Sequence, residues 1–269
     1  MSVRDTREGN DMDKKEQDFS MILINMSGTY EHQNFYQKYD YKFVNCTDIE
    51  GTNCYCEDAA VEEIKKRLQD FPAEGIHFLD SGNYHYLTLQ WLDKIDTKFN
   101  LLHFDNHPDL QQPSFGQITS CGGWVQEALE RNQYLNQVYM YGVEHQLLEE
   151  LEPLSKCVHT GTFPQDAQLA DMQLADDATE SILPDRPLPI YISIDKDVLR
   201  EEDAVTDWSQ GTMTLEELLE MVRKLMENYQ VIGIDICGES QDTENEHGHE
   251  VNNKTNAQLI EQLLRDKSK

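Results

Sequence analysis

The sequence predicts an α/β protein: a three-layer sandwich with a mostly parallel central sheet and helices on both faces. Three observations lead there. Short apolar runs alternate with helix-period segments along nearly the whole chain. The runs are continuous rather than alternating, as befits strands covered on both faces. Acidic and histidine residues collect just past several of them, where open parallel sheets build their sites.

Met21 to Met26 is the first strand. Ala59 to Phe71, with Val61, Ile64 and Leu68 at helical spacing, is a helix stopped by Pro72. Ile76 to Leu79 is a strand, His85 to Ile95 a helix and Leu101 to Phe104 a strand. A loop then runs to Ser120, before a helix from Trp124 to Glu130. Val138 to Tyr141 is a strand, Glu144 to Leu151 a helix and Cys157 to His159 a short strand. The acidic stretch 161–187 has room for a short helix, Ala167 to Leu174. Leu188 to Ile194 is a strand, and Thr214, with Glu217 three residues on, forms a capping box for a helix to Glu227. Val231 to Ile236 is the last strand and Asn256 to Leu264 the last helix. With no repeat or composition break, residues 19–269 read as one domain behind a polar, flexible tail over 1–18.

The 51 Asp and Glu against 22 Lys and Arg, a formal charge of −29, argue against nucleic acid or an anionic membrane as partner. No apolar run reaches the roughly 18 residues of a membrane span, and the N-terminus has no signal-peptide core. The expected location is the cytoplasm, with reduced thiols. Cys54-Tyr55-Cys56 is too close for an ordinary disulfide framework and has no second pair to make a zinc site; Cys237, in an apolar run, is expected in the core.

The chemistry collects after three strands. Leu101 to Phe104 ends in Asp105-Asn106-His107-Pro108-Asp109. An extended backbone sends i, i+2 and i+4 to one side, so two acids and an imidazole converge and call for a positive ion among them. Ser193-Ile194-Asp195-Lys196-Asp197 repeats the alternation, and Ser81-Gly82-Asn83-Tyr84-His85 sets an imidazole on the same sheet edge. One D-x-H-x-D in so acidic a chain reads equally well as a solvated loop; three such elements at three strand ends do not. Four Asp and two His, with no thiolate, suit a hard or borderline ion such as manganese.

The order G-x-x-H, D-x-H-x-D, S-x-D-x-D, spanning Ile76 to Glu239, resembles the ureohydrolases: arginase, agmatinase and formimidoylglutamase, of the arginase–deacetylase fold. The resemblance implies two manganese ions. One would take His85, Asp105, Asp109 and Asp195; the other would take Asp105, His107, Asp195 and Asp197, with Asp105 and Asp195 bridging. It further implies a hydroxide between ions about 3.5 Å apart that attacks a guanidinium or amidine carbon. Asp109 would pass a proton to the departing amine. The substrate would be a small cationic guanidino or amidino compound, and the protein a homo-oligomer.

The chain also departs from the family pattern. Asp-Pro is missing after the S-x-D-x-D motif, where Val198-Leu199-Arg200-Glu201 follows, although Trp208 to Thr212 resembles the later Pro-Gly-Thr. The family's shuttle histidine is missing from Ser120-Cys121-Gly122-Gly123, leaving Cys121 as a stand-in if nearby metal lowers its pKa. Glu239 is offered as the guanidinium clamp, one position later than the family places it. His247 and His249, in an acidic loop, are candidate replacements for the shuttle, and His103 is expected as a buried supporting histidine. Loops 110–120, 160–187 and 239–254 would set specificity. Two rivals remain: a deacetylase-like amidohydrolase with one zinc, and a metal-binding family member with little or no turnover.

Overall fold

The computed structural model describes residues 21–112, 118–151, 154–163, 182–184 and 188–265. The expected tail over 1–18 and the helix Ala167 to Leu174 lie outside the described residues.

The strands are β1 (Met21–Asn25), β2 (Tyr41–Asn45), β3 (Tyr55–Cys56), β4 (Gly75–Phe78), β5 (Phe99–Phe104), β6 (Thr119–Ser120), β7 (Leu135–Tyr141), β8 (Val158–Thr160), β9 (Ile190–Asp195) and β10 (Val231–Cys237). Eight of them form one sheet in the order β2-β1-β4-β10-β9-β5-β7-β8, while β3 and β6 pair separately and antiparallel. Every pairing in the large sheet is parallel, as the continuous apolar runs require.

The helices are α1 (Asp58–Leu68), α2 (Thr88–Leu92), α3 (Trp124–Arg131), α4 (His145–Glu149), α5 (Leu215–Asn228) and α6 (Glu246–Arg265). One apolar cluster joins Ile64 of α1, Trp91 of α2 and Trp124 of α3 to Ile22, Leu101, Val138 and Tyr191 of the sheet. The other joins Leu218 and Val222 of α5 and Leu259 and Leu263 of α6 to Phe78, Leu102, Ile192 and Ile234. Neighbouring strand residues thus point to opposite layers, which makes the sheet the middle of a three-layer sandwich. The α5 cap forms as expected: Thr214 Oγ1 accepts from the Glu217 amide, and the Glu217 carboxylate accepts from the Thr214 amide at 2.8 Å.

Several elements differ from their expected form. Gly82–Leu87 is a 3₁₀ turn that only then becomes α2, and Ser81 caps it by accepting from the Asn83 amide. The last helix begins at Glu246 rather than Asn256. Residues 246–254 are therefore not a loop, and His247 and His249 ride on α6. Polar residues misled the periodicity there: Asn252, Thr255 and Asn256 are buried and bonded rather than solvated. Strand β2 was not expected, because it lies at the sheet edge with little of it buried. No described helix is long and apolar enough to cross a membrane.

Candidate metal centre

The site sits at the carboxyl ends of the central strands. Phe104 pairs with Ile194 in the β5–β9 ladder, so Asp105 and Asp195 follow side by side where the ladder ends. Cys237 of β10 pairs with Asp195 on its other flank. Asp105 then folds back, its Oδ1 accepting from the His107 amide at 2.6 Å, while the Asn106 amide donates to Asp197 Oδ1 at 3.0 Å. The Asp197 amide donates to Asp195 Oδ1 at 2.9 Å. The backbone amides thus aim the three carboxylates inward.

Each histidine is oriented from behind. His85 Nε2 lies 2.8 Å from Ser193 Oγ, which donates to Asp235 Oδ1 at 2.6 Å. That leaves His85 Nδ1 facing Asp105 Oδ2 and Asp109 Oδ2, each at 3.2 Å, and Asp195 Oδ2 at 3.6 Å. His107 has Nε2 at 3.0 Å from Ser209 Oγ and Nδ1 at 2.8 Å from Asp197 Oδ2. Trp124 Nε1 donates to Asp109 Oδ2 at 2.6 Å, and Cys237 Sγ donates to Asp195 Oδ2 at 3.1 Å. Cys237 is buried as expected, but it is a partner of the site as well as a core residue.

Two glycines make room for Asp195. A Cβ on Gly82 would meet Asp195 Oδ2 at 2.7 Å. One on Gly238 would meet Oδ1 at 2.4 Å, on a backbone at φ +87° that side chains seldom adopt.

Electrostatically the cluster is frustrated. Burial, then the Asp105 carboxylate, pushes the Asp109 and Asp195 carboxyls up. Asp197 is driven well up by burial, then by Asp105 and Asp195. Asp105 is buried too, yet His103, His107 and His85 hold it well below the usual carboxylate range. Burial opposes a charge on His107, but Asp105 and Asp197 hold its imidazolium up to about 11. Like charges crowded out of water push one another toward neutrality unless a cation intervenes.

The donor set fits a divalent cation. Three combinations of nearby ligand atoms occur among the described residues: His85 with His103, Asp105 and Asp109; His85 with Asp195 and Cys237; and Asp105 with His107 and Asp197. His85 Nδ1 is buried without a hydrogen-bond partner, the state expected of an imidazole nitrogen whose other face is held by a hydroxyl and whose lone pair is meant for a metal. The six residues singled out from sequence do converge. His103, expected only in support, reaches Asp105 Oδ2 at 3.0 Å and joins one of the groups.

Glu239, expected as the guanidinium clamp, lies away from the cavity lining. Its Oε1 accepts from Lys196 Nζ at 2.5 Å and Asn256 Nδ2 at 2.7 Å, and its Oε2 accepts from Gln33 Nε2 at 2.7 Å. Both carboxylate oxygens are engaged, the side chain is 1% exposed, and it is not among the residues lining the cavity. Its charge is already matched by Lys196. The residues that tie it down lie far apart in sequence, and only Lys196, inside the S-x-D-x-D motif, gave any signal.

Cys121 does line the cavity, but burial, then the Asp109 carboxylate, pushes its thiol up rather than down. His249 stacks on His32 at 4.8 Å, away from the cavity lining. The cavity has a volume of about 240 Å³. Above the acids its walls include Cys54, Tyr55, Gln111, Cys121 and Trp208. Trp208 donates from Nε1 to Asn83 Oδ1 at 2.8 Å and meets His107 edge to face at 5.6 Å. Tyr55, Gln111 and Trp208 belong to no ligand pattern, so the sequence alone does not single them out as site residues.

The fold is shared with solved structures at low sequence identity. Proclavaminate amidino hydrolase from Streptomyces clavuligerus superposes with a TM-score of 0.62 at 12% identity, covering 93% of this chain and 91% of that one. Agmatine ureohydrolase of Thermoplasma volcanium gives 0.60 at 13%, covering 94% and 91%. Arginase from Medicago truncatula gives 0.59 at 15%, covering 91% and 85%. By sequence, an uncharacterized protein of Thermotoga maritima is 30% identical over 217 residues, 81% of this chain and 78% of that one. The arginase family profile matches residues 20–263. The chain therefore belongs to the arginase family.

Proposed function

We propose that this protein is a metal-dependent hydrolase of a linear C–N bond in a small guanidino or amidino compound. The observation that carries the reading is the convergence of His85, Asp105, His107, Asp109, Asp195 and Asp197 at the strand ends, with His85 Nδ1 buried within 3.2–3.6 Å of three carboxylates and without a hydrogen bond. His85, Asp105, Asp109 and Asp195 would hold one manganese ion, and Asp105, His107, Asp195 and Asp197 the other. Bound there, two divalent ions supply Lewis acidity and lower the pKa of a water to near neutrality.

The chain's own residues do the rest. Ser193 and Ser209 fix the two imidazoles, so the ligand nitrogens stay aimed without reorganisation. Trp124 holds Asp109 through Oδ2, leaving Oδ1 to carry a proton toward the departing amine. Because Glu239 is bound to Lys196, a cationic substrate head would rest instead on the faces of Trp208 and Tyr55 in the cavity wall.

The test is metal content followed by product. Protein loaded with manganese should hold two ions per chain and release urea, ammonia or formamide from a member of a guanidino and amidino panel. His107→Asn and Asp197→Asn should each retain only one ion and lose turnover at least a hundredfold. Either variant keeping both ions and full rate would overturn the assignment.

A further inference from the structure

Cys54 and Cys121 are distant in sequence but share one wall of the cavity. The short β3–β6 ladder brings them together. Its register sets Tyr55 against Ser120 and Cys56 against Thr119, and Cys54 and Cys121 lie one residue beyond that ladder on either strand. The Cys121 amide donates to the Cys54 carbonyl at 2.9 Å. That single bond draws the two backbones to within about the 4.4–6.8 Å between Cα atoms that a disulfide spans. The thiols are close enough for each to perturb the other's proton. Cys54 also sits at φ 61°, a left-handed backbone that few side-chain-bearing residues adopt and that gathers at functional positions.

We propose that Cys54 and Cys121 form a dithiol modification site that closes to a disulfide across the cavity wall on meeting a low-molecular-weight disulfide. Cys54 is the half-buried member and Cys121 the buried one, so Cys54 reacts first. Its thiolate attacks one sulfur of the small disulfide, forming a mixed disulfide and expelling one thiolate, which takes up the proton Cys54 gave up. The Cys121 sulfur, losing its own proton, then attacks the Cys54 sulfur and expels the second small thiol. The protein loses two electrons and two protons, and one small disulfide becomes two thiols. The cross-link ties the segment entering α1 to the segment entering α3, and so pins that wall of the cavity in place. Slower exchange of the cavity's contents follows from that pinning, and this last consequence rests on the metal reading above.

The experiment titrates the protein with oxidised glutathione. Two of the six free thiols should disappear, a tryptic map should show Cys54 joined to Cys121, and dithiothreitol should restore both. Cys54→Ser should give no internal link, and Cys121→Ser should stop at one glutathione on Cys54. If Cys54 and Cys121 stay free while other thiols oxidise, or each keeps its own glutathione in the unsubstituted protein, the proposal is overturned. Manganese uptake by the cross-linked protein should be slowed several-fold, and an unchanged rate overturns the pinning. A reduced protein that takes up no manganese at all counts against the metal reading alone, since the peptide map still decides the disulfide.

Discussion

Lys196 and Glu239 are 0% and 1% exposed and 2.5 Å apart. Removing one member of a buried ion pair strands the other's charge, at a cost of about 3–5 kcal/mol, whereas replacing both is far milder. Lys196→Met should therefore lower unfolding stability in urea by about that amount, and Lys196→Met with Glu239→Gln should recover most of it. A single variant as stable as the parent would mean that Glu239 finds another neutralising partner. At this scale the sequence was most legible at the strand ends: Asp105, His107, Asp109, Asp195 and Asp197 could be read from their motifs, although the backbone there turns, with Asp109 at φ 48° and Lys196–Val198 in a 3₁₀ turn, instead of running on extended. It was least legible where a role depends on a distant partner. Glu239 looked like a free acid at a strand end because Lys196, Gln33 and Asn256 reach it only through the fold.

Beneath the ligand row the strands carry a second polar row. Ladder register aligns His77 of β4, Asp235 of β10, Ser193 of β9 and His103 of β5 across four neighbouring strands. The row lies two residues below Asp195 and Asp105 on the same face. Ser193 links it upward to His85. Ser193→Ala should weaken manganese binding by roughly tenfold to a hundredfold, measured by calorimetry, with little change in fold by circular dichroism. At the other end of the row, His77 stacks on Trp91 at 3.8 Å and lies 3.1 Å from the Tyr191 hydroxyl. Burial, then Lys94, depresses its pKa to about 3. Between about pH 6.5 and about 3 the unfolded chain therefore binds a proton that the folded chain refuses, so His77 makes stability fall as pH falls, by about 1.4 kcal/mol per pH unit. His77→Gln should flatten the stability–pH slope by about one proton over that window. An unchanged slope would mean that the imidazole titrates normally in place. Strands buried on both faces announced themselves as apolar runs. Edge strand β2 and the polar first half of α6 did not, because their contacts are set by neighbours rather than by local pattern.

With 51 acidic against 22 basic residues, the whole molecule repels itself. Screening shortens the reach of that repulsion to about 10 Å at 0.1 M salt and 3 Å at 1 M. The melting temperature should accordingly rise by a few degrees as sodium chloride increases from 10 mM to 0.5 M, followed by differential scanning fluorimetry. A flat or falling curve would show that local ion pairs, such as Arg67 with Asp48 and Glu63, outweigh the net charge. The layer architecture was readable from the alternation of apolar runs and helical segments. The strand order was not, since nothing local says which parallel strands become neighbours.

That order bears on how the molecule is made. The six strands of the large sheet that precede residue 188 fall into two separate ribbons, β2-β1-β4 and β5-β7-β8, and only β9 and β10 join them. As the chain leaves the ribosome, His85, Asp105, His107 and Asp109 are already present, but on ribbons with no contact through the sheet. The open edges of β4 and β5 face each other across a gap two strands wide. Unpaired edges of this kind recruit foreign strands. A chain stalled before Ile190 is therefore a sticky intermediate rather than a smaller version of the fold. Arrival of the last two strands closes both edges and delivers Asp195 and Asp197 in the same event, so the site forms only in a chain that has finished its sheet.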